Sequence, residues 1–333
     1  MKHYHIGILG VTGAVGQEML RVLAERHFPA ASLRPIASAR SAGQTVSFAH
    51  ERVAIVEASE DAFDGLDFVL GAAERDVALR YAPAIRRAGA VFVDNSSAFR
   101  LRPDVPLVVP EINAQDAHTH NGILANPNCT TILTLVAIAA LARESPVERI
   151  VASSYQAVSG AGRGGIDELE TQLRAHAAGQ ACTAQVFPCP IACNVIPMIG
   201  GAAEQGYTAE ELKLQNEGRR ILHLPQLFAS CTCVRVPVLR SHSVSIALRT
   251  RERIGVQRAR ELLAAAPGCR LVDDLPAQRF PTPLDASGQD TVLVGRVREE
   301  LGEERGLLLW CCGDQLRKGA ATNAVQIAEL LIK

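Results

Sequence analysis

The sequence lacks an excess of either charge. Among its 333 residues, 34 Lys and Arg stand against 35 Asp and Glu, which gives a formal net charge of −1. No block of basic residues provides the positive surface that nonspecific binding to nucleic acid or to an anionic membrane requires. We therefore expect neither as a partner. Small anionic ligands remain compatible with this composition, because a few local arginines or lysines can bind them.

A hydrophobic run long enough to cross a bilayer is also missing. The longest apolar stretch, residues 132–142, falls short of the roughly 20 residues that a spanning helix needs. The first five residues lead directly into a glycine-punctuated strand and do not resemble a secretory signal. These features predict a buried helix at 132–142 and a cytoplasmic protein.

Cysteine is present, but it lacks the spacing of a zinc site. The nine cysteines are an odd number, and neither Cys189-x3-Cys193 nor Cys231-x-Cys233 forms a paired Cys-x2-Cys motif. We expect reduced thiols in a reducing compartment and no metal site. Most of these cysteines should be small buried hydrophobic residues.

Internal repeats and low-complexity tracts are absent, and the length favours two domains. Short apolar segments alternate with helical patterns in the first part of the chain, which predicts a parallel sheet. The strands are expected at residues 33–37, 53–56, 68–71, 91–94 and 107–109, with a helix at 77–88. After residues 126–130, longer strands at 150–157, 231–239 and 244–249 predict an α+β domain. Helical spacing of apolar residues predicts a last helix at 323–332.

A glycine-rich turn follows the first expected strand, residues 5–9. The turn reads Gly10-Val11-Thr12-Gly13-Ala14-Val15-Gly16, and a helical pattern comes after it. Glycines let the backbone pass close to a phosphate, and the N–H groups at the start of the helix point towards it. In a chain that continues to alternate strands and helices, this pattern favours dinucleotide binding over a purely structural turn.

The end of the second strand indicates which dinucleotide binds. An NAD-binding protein usually has an Asp or Glu here for the ribose hydroxyls, but this sequence has Ser38-Ala39-Arg40-Ser41. Arginine and serine favour a 2′-phosphate and so predict NADP. An exposed loop arginine without a ligand is the alternative.

Cys129 differs from the other cysteines because it directly precedes the apolar helix. Its sulfur should lie beside unpaired N–H groups at the positive end of the helix dipole, which favours the thiolate. Since the thiolate is the nucleophilic form, Cys129 is the candidate for covalent catalysis.

A cysteine nucleophile works with a base, and His242 is the candidate. We expect His242 on a turn between two strands, a rigid position for a catalytic group, although a structural loop histidine is the alternative. Arg235 supports a functional interpretation, because a charged residue in an apolar strand usually has a partner or a ligand. Gln156 ends another strand before a glycine-rich loop that can approach a ligand closely.

Thr208-Ala209-Glu210-Glu211 has the pattern of a capping box at the start of a helix. Glu210 and Lys213 lie three residues apart on one face of that helix. These spacings alone favour a solvent-exposed ion pair.

Taken in order, these motifs resemble the aspartate-β-semialdehyde dehydrogenase family over nearly the whole chain. The matching segments are the Gly10–Gly16 turn, Asp94-Asn95-Ser96-Ser97-Ala98-Phe99-Arg100, Val109-Pro110-Glu111-Ile112-Asn113, Asn126-Pro127-Asn128-Cys129-Thr130-Thr131, the Gln156 segment, Glu210-Glu211-Leu212-Lys213, Arg235 to His242, and Leu316-Arg317-Lys318-Gly319-Ala320-Ala321-Thr322-Asn323. The resemblance implies reversible, NADP-dependent reductive dephosphorylation of 4-aspartyl phosphate to L-aspartate 4-semialdehyde through a cysteine thioester. This reaction belongs to the biosynthesis of lysine through diaminopimelate, and of threonine, methionine and isoleucine.

The resemblance also implies roles for individual residues. Cys129 is the nucleophile, His242 the general acid/base, and Gln156 orients the acyl intermediate. Arg235 and Glu210 hold the substrate carboxylate and amine, and Arg100 and Lys213 form the phosphate site, which replaces the surface interpretation of Glu210 and Lys213. The implied cofactor contacts are Gly10, Thr12, Gly13, Ala14, Val15, Arg40, Ser41, Ser159, Gly160, Pro190 and Asn323.

The implied architecture is α/β. A Rossmann-like NADP-binding domain comprises residues 1–127 and 314–333, and an α+β catalytic and dimerisation domain comprises residues 128–313. The family forms homodimers, with a dimer of dimers left open. Two segments depart from the family pattern: residues 71–76 replace a Ser- and Gly-rich stretch, and residues 187–194 carry cysteines where aromatic residues are frequent.

Two alternative functions remain at this point. N-acetyl-γ-glutamyl-phosphate reductase uses the same thioester chemistry on an acylated substrate, but Glu210 suggests a free amine. A non-catalytic nucleotide-binding paralogue would be expected to lose the nucleophile or the base, whereas Cys129, Gln156 and His242 are all present.

Overall fold

The computed structural model of the protein describes residues 2–49 and 51–332. Its internal contacts separate two compact units. The first unit contains the residues up to Asn128 and those from Ala320 onward, and the second contains Cys129–Gly319.

Parallel strands form the main sheet of the first unit. The strands are β1 (Tyr4–Leu9), β2 (Ala30–Ala37), β3 (Thr45–Phe48), β4 (Glu51–Ala54), β5 (Val56–Glu57), β6 (Phe68–Gly71), β7 (Val91–Asp94) and β8 (Ile123–Ala125). β3 and β4 form a separate antiparallel hairpin, and the other six follow the order β5-β2-β1-β6-β7-β8. The helices of this part are α1 (Ala14–Glu25), α2 (Arg75–Arg87) and α3 (Pro110–Asn113).

The strand order reverses at β1, which has β2 on one side and β6 on the other. Every residue of β6 is buried, as expected for a central parallel strand that is covered on both faces. Dinucleotides bind at such a reversal point, beyond the carboxyl ends of the strands. The expected Rossmann-like parallel sheet is therefore confirmed.

Two strand predictions in this unit were wrong. Residues 107–109 form only one isolated bridge, Leu107 to Ala125, and β8 is the regular strand beside β7. These residues are buried and apolar like a strand, but Pro110 begins α3 immediately afterwards. The single strand expected at 53–56 is divided at Ile55 between the hairpin and the edge of the sheet.

A mixed sheet forms the second unit. Its strands are β9 (Val147–Gln156), β10 (Phe228–Arg235), β11 (His242–Thr250), β12 (Cys269–Leu271), β13 (Val292–Glu299) and β14 (Gly306–Gly313), in the order β10-β9-β11-β14-β13-β12. Its helices are α4 (Cys129–Glu144), α5 (Gly162–Ala177), α6 (Glu211–Ile221), α7 (Val256–Ala264) and α8 (Pro283–Ala286). The predicted α+β character is confirmed.

Helix α4 packs on one face of this sheet and is buried from Thr130 to Leu141, as predicted for the apolar run. Leu133 lies so close to Gly313 that a Cβ atom on the glycine would be 2.4 Å from its Cδ2 atom. The opposite face of the sheet is open, and Val151 and Tyr155 of β9 are each more than one third exposed there. Among the described helices, none combines the length and the hydrophobicity that a membrane span requires.

The last helix, α9 (Thr322–Glu329), follows a π-helical turn at Arg317–Ala321. Its Val325 and Ile327 belong to the same buried cluster as Ile6 and Met19 of the first unit. Arg26 and Glu329 form an ion pair of 2.6 Å between α1 and α9. The predicted last helix is confirmed, although it ends three residues before the predicted limit.

Candidate active site

Three side chains meet at one edge of the second sheet because of its topology. β9 ends at Gln156, and the parallel strand β10 ends at its register partner Arg235. β11 runs antiparallel to β9 and begins at His242. The prediction that His242 lies on the turn was wrong by one position, because Ser241 is the last residue before the strand.

Gln156 is buried, and both ends of its amide have partners. The Ser154 hydroxyl donates to Oε1 over 3.2 Å, and Nε2 donates to Oε1 of Glu210 over 3.3 Å. These two contacts set the orientation of the amide, with its N–H groups towards Glu210.

Arg235 is also buried and is fixed by its backbone as well as its side chain. Its N–H and C=O groups pair with Ile196 at 2.8 and 2.9 Å, and its Nη1 donates to the Ala157 carbonyl over 2.6 Å. Burial lowers the pKa of Arg235, while the nearby Cys129 and Glu210 act in the opposite direction. An arginine remains cationic under such conditions, so the site contains a buried positive charge.

His242 has no solvent exposure. Its Nδ1 accepts the Ala157 N–H over 3.1 Å, while its buried Nε2 has no hydrogen-bond partner among the described residues. Burial lowers the pKa of His242 to about 3, with Arg235 adding to the effect and Glu210 opposing it. The ring is therefore neutral at physiological pH.

Gly160 lies against both Arg235 and His242. A Cβ atom at this position would be 2.8 Å from Nη1 of Arg235 and 3.2 Å from Cε1 of His242. Only a glycine allows the loop after β9 to approach these side chains so closely.

Cys129 is the first residue of the 16-residue helix α4. The sequence predicted that it directly precedes this helix, so the helix begins slightly earlier than predicted. A Cβ atom on Gly319 would lie 2.9 Å from the Cβ of Cys129, so the π-helical turn that contains Gly319 passes directly beside it. The electrostatic effect of Cys129 on Arg235 places the expected nucleophile near the buried cation. The helix N-terminus and this cation both favour the thiolate.

The other cysteines are less buried than predicted. None of the nine is joined in a disulfide, and four of them are buried, namely Cys231, Cys233, Cys311 and Cys312. Cys182, Cys189 and Cys193 lie in an irregular segment at the surface, which no local pattern distinguished from a core segment. Among the described residues, no group of three or more His, Cys, Asp or Glu side chains could hold a metal ion.

Glu210 and Lys213 form an ion pair of 2.6 Å that is largely buried on the Glu210 side, whose side chain is 11% exposed. The capping box is present, since Thr208 N–H donates to Glu211 over 2.8 Å and Glu211 N–H donates back over 3.3 Å. Glu211 also accepts the Cys233 N–H of β10 over 3.0 Å. This contact anchors the start of α6 to the sheet. The expectation of a solvent-exposed ion pair was wrong for Glu210, because its side chain is largely buried.

The glycine turn of the first unit has the geometry expected of a phosphate cradle. Gly10 has φ +87°, and a Cβ atom there would lie 2.8 Å from the Ala72 backbone. A Cβ atom on Gly16 would lie 2.5 Å from the Gly10 carbonyl oxygen. Helix α1 begins after Gly13 without a side-chain cap, and Ala14 and Val15 occupy its first turn. The start of α1 therefore suits an anionic ligand.

Other predicted residues of the first unit differ in accessibility. Thr12 and Arg40 are exposed, and Ser41 ends the 3₁₀ turn after β2. Arg100 is buried and donates to the carbonyls of Asn126 and Asn95 over 2.9 and 2.6 Å. Asn323 is fully buried, with Nδ2 donating to Asn126 and Val108.

In the second unit, Pro190 lies in a segment that α5 holds in place. Gln172 of α5 accepts the N–H groups of Ile191 and Ala192 over 2.8 and 3.0 Å. Phe187 of the same segment lies 5.8 Å from the Arg235 guanidinium. An aromatic ring is therefore still present in the stretch where cysteines replace the usual aromatic residues.

Sequence reasoning missed two residues of this site. Ser154 shares a strand face with Gln156, so the period of two in β9 could have revealed it. Gln315 accepts the Ser241 N–H over 2.9 Å and donates to the Ser159 hydroxyl. These partners are distant in sequence, and no local pattern indicated them.

Comparison with known proteins agrees with this architecture. The family described as "Semialdehyde dehydrogenase, NAD binding domain" matches residues 5–120, and "Semialdehyde dehydrogenase, dimerisation domain" matches residues 138–318. Aspartate-semialdehyde dehydrogenase of Synechocystis sp. is 49% identical over 328 residues, covering 98% of this chain and 97% of that protein. The Bacillus subtilis protein of the same name is 41% identical, covering 99% and 97%. The crystal structure of Vibrio cholerae aspartate semialdehyde dehydrogenase II complexed with ASA is 40% identical, with a TM-score of 0.97 and coverage of 99% and 98%.

Proposed function

This chain belongs to the aspartate-semialdehyde dehydrogenase family, and we propose that Cys129, Gln156, Arg235 and His242 are the centre of its catalysis. The reaction is the reversible conversion of L-aspartate 4-semialdehyde and phosphate to 4-aspartyl phosphate in amino-acid biosynthesis. The observation that supports these residues most strongly is their meeting at one sheet edge beside the N-terminus of α4. The relatives with similar sequences are aspartate-semialdehyde dehydrogenases. They do not support the two alternatives, N-acetyl-γ-glutamyl-phosphate reductase and a non-catalytic nucleotide-binding paralogue.

Cys129 acts as the nucleophile in this proposal. Its thiolate, stabilised by the helix N-terminus and Arg235, attacks the aldehyde carbon and forms a thiohemiacetal. Loss of hydride leaves a thioester on Cys129. Phosphate then attacks the thioester carbon, the acyl phosphate departs, and the thiolate is restored.

The substrate is small, and contacts at both of its ends align it with the sulfur. Arg235 suits the α-carboxylate because a guanidinium binds both oxygens at once. Glu210 binds the amine, and Gln156 orients the acyl group. Lys213 of the second unit and Arg100 of the first are the residues that we assign to phosphate.

A nicotinamide cofactor, when bound, accepts or supplies the hydride. The turn before α1 fits the phosphates of such a cofactor. Any side chain at Gly10 or Gly16 would clash with the backbone of this turn, and α1 begins there without a side-chain cap. We propose that NADP is preferred, since Arg40 and Ser41 stand where a carboxylate would select NAD. The proposed contacts in the first unit are Gly10, Thr12, Gly13, Ala14, Val15, Arg40, Ser41 and Asn323, and those in the second are Ser159, Gly160 and Pro190.

At the level of the whole chain, we propose a cofactor domain of residues 1–127 and 314–333 and a catalytic domain of residues 128–313. The chain carries a dimerisation domain. We propose that it forms a homodimer through the open face of the second sheet, where Tyr155 and Trp310 lie 5.3 Å apart by ring centroids. Pairing of such dimers is the alternative assembly. We propose the cytoplasm as its compartment, since a reducing environment fits nine cysteines without a disulfide.

The proposed function is tested by phosphate-dependent reduction of NADP with L-aspartate 4-semialdehyde. We expect turnover by the wild type, loss of turnover in Cys129→Ala, and near-normal turnover in Cys182→Ala, which removes a half-buried thiol elsewhere. Absence of wild-type turnover, or equal activity in Cys129→Ala, would contradict the proposal.

A further inference from the structure

The guanidinium of Arg235 keeps N–H groups that the protein does not use. Its Nη1 donates to the Ala157 carbonyl over 2.6 Å, whereas its Nε and Nη2 have no hydrogen-bond partner among the residues that the structure describes. A guanidinium binds a carboxylate through two parallel N–H···O bonds, so the direction of its plane decides how well the carboxylate binds. The contacts that fix this plane therefore affect substrate binding.

An aromatic ring lies against this guanidinium. The Cζ atom of Arg235 lies over the ring of Phe187, 5.8 Å from its centroid, which is within the range of a cation–π contact. Arg235 is buried and Phe187 is half-buried. Because the negative face of the ring attracts the cation, Phe187 restricts the orientation of the guanidinium.

The segment that carries Phe187 also holds the backbone of Arg235. Ile196 lies further along the same segment, and its N–H donates to the Arg235 carbonyl over 2.9 Å. The Arg235 N–H donates in return to the Ile196 carbonyl over 2.8 Å. Residues 187–196 therefore contact both the main chain and the charged end of this arginine.

Two side chains of α5 hold this segment, whose residues 181–195 form neither helix nor strand. Glu168 accepts the N–H groups of residues 185 and 186, and Gln172 accepts those of residues 191 and 192. Gln172 also donates to Glu168 over 3.0 Å, and both side chains are buried. Phe187 lies between the two anchored stretches, so its backbone is fixed on both sides.

Two glycines at the start of α5 make room for the same segment. A Cβ atom on Gly164 would lie 3.3 Å from Cγ2 of Val186, and one on Gly165 would lie 3.1 Å from Cζ of Phe187. Glycine within a helix is destabilising relative to alanine. Two in succession at this contact indicate that the close approach of the segment is required.

On the basis of the proposed function, in which Arg235 binds the α-carboxylate of the substrate, we propose that Phe187 is a positioning residue for this arginine. Its ring sets the plane of the guanidinium, and Gln172 holds the backbone that carries the ring. Both residues act on the substrate through Arg235.

Steady-state kinetics with Phe187→Leu tests this role, because leucine keeps an apolar side chain but removes the aromatic face. Loss of the cation–π contact should raise the KM for L-aspartate 4-semialdehyde about fivefold. The KM values for phosphate and NADP should not change, and kcat should fall much less than the KM rises. Phe187→Tyr keeps the ring and should restore the KM. Phe280→Leu, at another partly exposed ring, is the control and should behave like the wild type.

Gln172→Leu tests the anchor. It removes the acceptor for residues 191 and 192 and should raise the same KM. Because Gln172 acts through the ring, this change should add little when Phe187→Leu is already present. Additive losses in the double variant would overturn the role assigned to Gln172.

An unchanged KM for the semialdehyde in Phe187→Leu, or equal rises in the leucine and tyrosine variants, would overturn the proposal. A parallel rise in the KM for phosphate and NADP would overturn it as well, since Arg235 is assigned to the α-carboxylate alone. Circular dichroism confirms that each variant is folded. Absence of wild-type turnover contradicts the proposed function, whereas these outcomes are measured against an active wild type, so the two failures are distinguishable.

Discussion

The hydroxyl of Ser154 donates to the amide oxygen of Gln156 over 3.2 Å on the buried face of β9. This bond leaves Nε2 of Gln156 directed at Glu210, 3.3 Å away. Ser154 is therefore a positioning residue, because its hydrogen bond decides which end of the Gln156 amide faces Glu210.

Ser154→Ala should lower kcat by about fivefold, since one hydrogen bond contributes about 1 kcal/mol. Ser154→Thr keeps the hydroxyl and should recover most of the loss. Ser153→Ala, on the other face of the same strand, serves as the control and should behave like the wild type. An unchanged kcat in Ser154→Ala, measured by steady-state kinetics, would show that the amide does not need this bond.

Lys213→Gln should raise the KM for phosphate by about 10-fold or more, because a charge-assisted hydrogen bond contributes about 1.5–3 kcal/mol. Turnover at saturating phosphate should fall much less. Arg174→Gln removes an exposed ion pair with Glu170 and provides the control. If the KM for L-aspartate 4-semialdehyde rises instead, Lys213 acts only through Glu210.

Arg40→Ala should weaken NADP binding while leaving NAD binding nearly unchanged, because only NADP carries the 2′-phosphate. Loss of a charged contact predicts a KM for NADP about 10-fold higher. Arg52→Ala, which removes another exposed arginine of the first unit, should leave both values unchanged. A variant at Arg40 that keeps its NADP preference would remove this residue from the cofactor site.

Asp94 provides a prediction about pH and stability. Burial raises its pKa, and the Ser96 hydroxyl at 2.6 Å and Arg100 only partly oppose this effect. A raised pKa means that the folded protein binds the proton more tightly. Its stabilising contribution is complete below the unfolded pKa and is lost as the pH rises through the folded pKa.

Asp94→Asn cannot ionise, so its stability relative to the wild type should increase from pH 4 to pH 7. Urea unfolding across this range measures the difference in free energy. Asp76→Asn, which changes a well-exposed carboxylate, is the control for replacing an aspartate outside the core. A flat difference for Asp94→Asn would show that this carboxyl titrates normally.

Tyr155→Glu should convert the proposed homodimer to monomers, because it places a charge on the open face of the second sheet. Light scattering after size-exclusion chromatography gives the mass, and it also distinguishes a dimer from a dimer of dimers. Leu301→Glu, at a turn that is 96% exposed, is the control and should leave the assembly unchanged. A Tyr155→Glu variant of wild-type mass would move the interface elsewhere.

The sequence predicted the elements whose signals are local. The glycine turn places β1 and α1, and the apolar run after Cys129 places α4, because burial on all sides requires continuous hydrophobicity. Continuous hydrophobicity led to a wrong prediction at residues 107–109, which are buried but do not form a regular strand. Gln315 was missed because its partners Ser241 and Ser159 are distant in sequence, and hydrogen bonds between distant segments leave no periodic trace. Ser154 was missed although it shares a strand face with Gln156 only two residues away.

Helix α4 connects the hydrophobic core of the second unit to the sulfur that we propose as the nucleophile. Its first residue is Cys129, and the packing of Leu133 on Gly313 fixes its position along the sheet. A shift of one residue along a helix axis is a displacement of about 1.5 Å, comparable to the tolerance of a reacting geometry. Substitutions in this core should therefore lower the catalytic rate even where the protein still folds. The packing of the interior of the second unit sets the position of the Cys129 sulfur along the axis of α4.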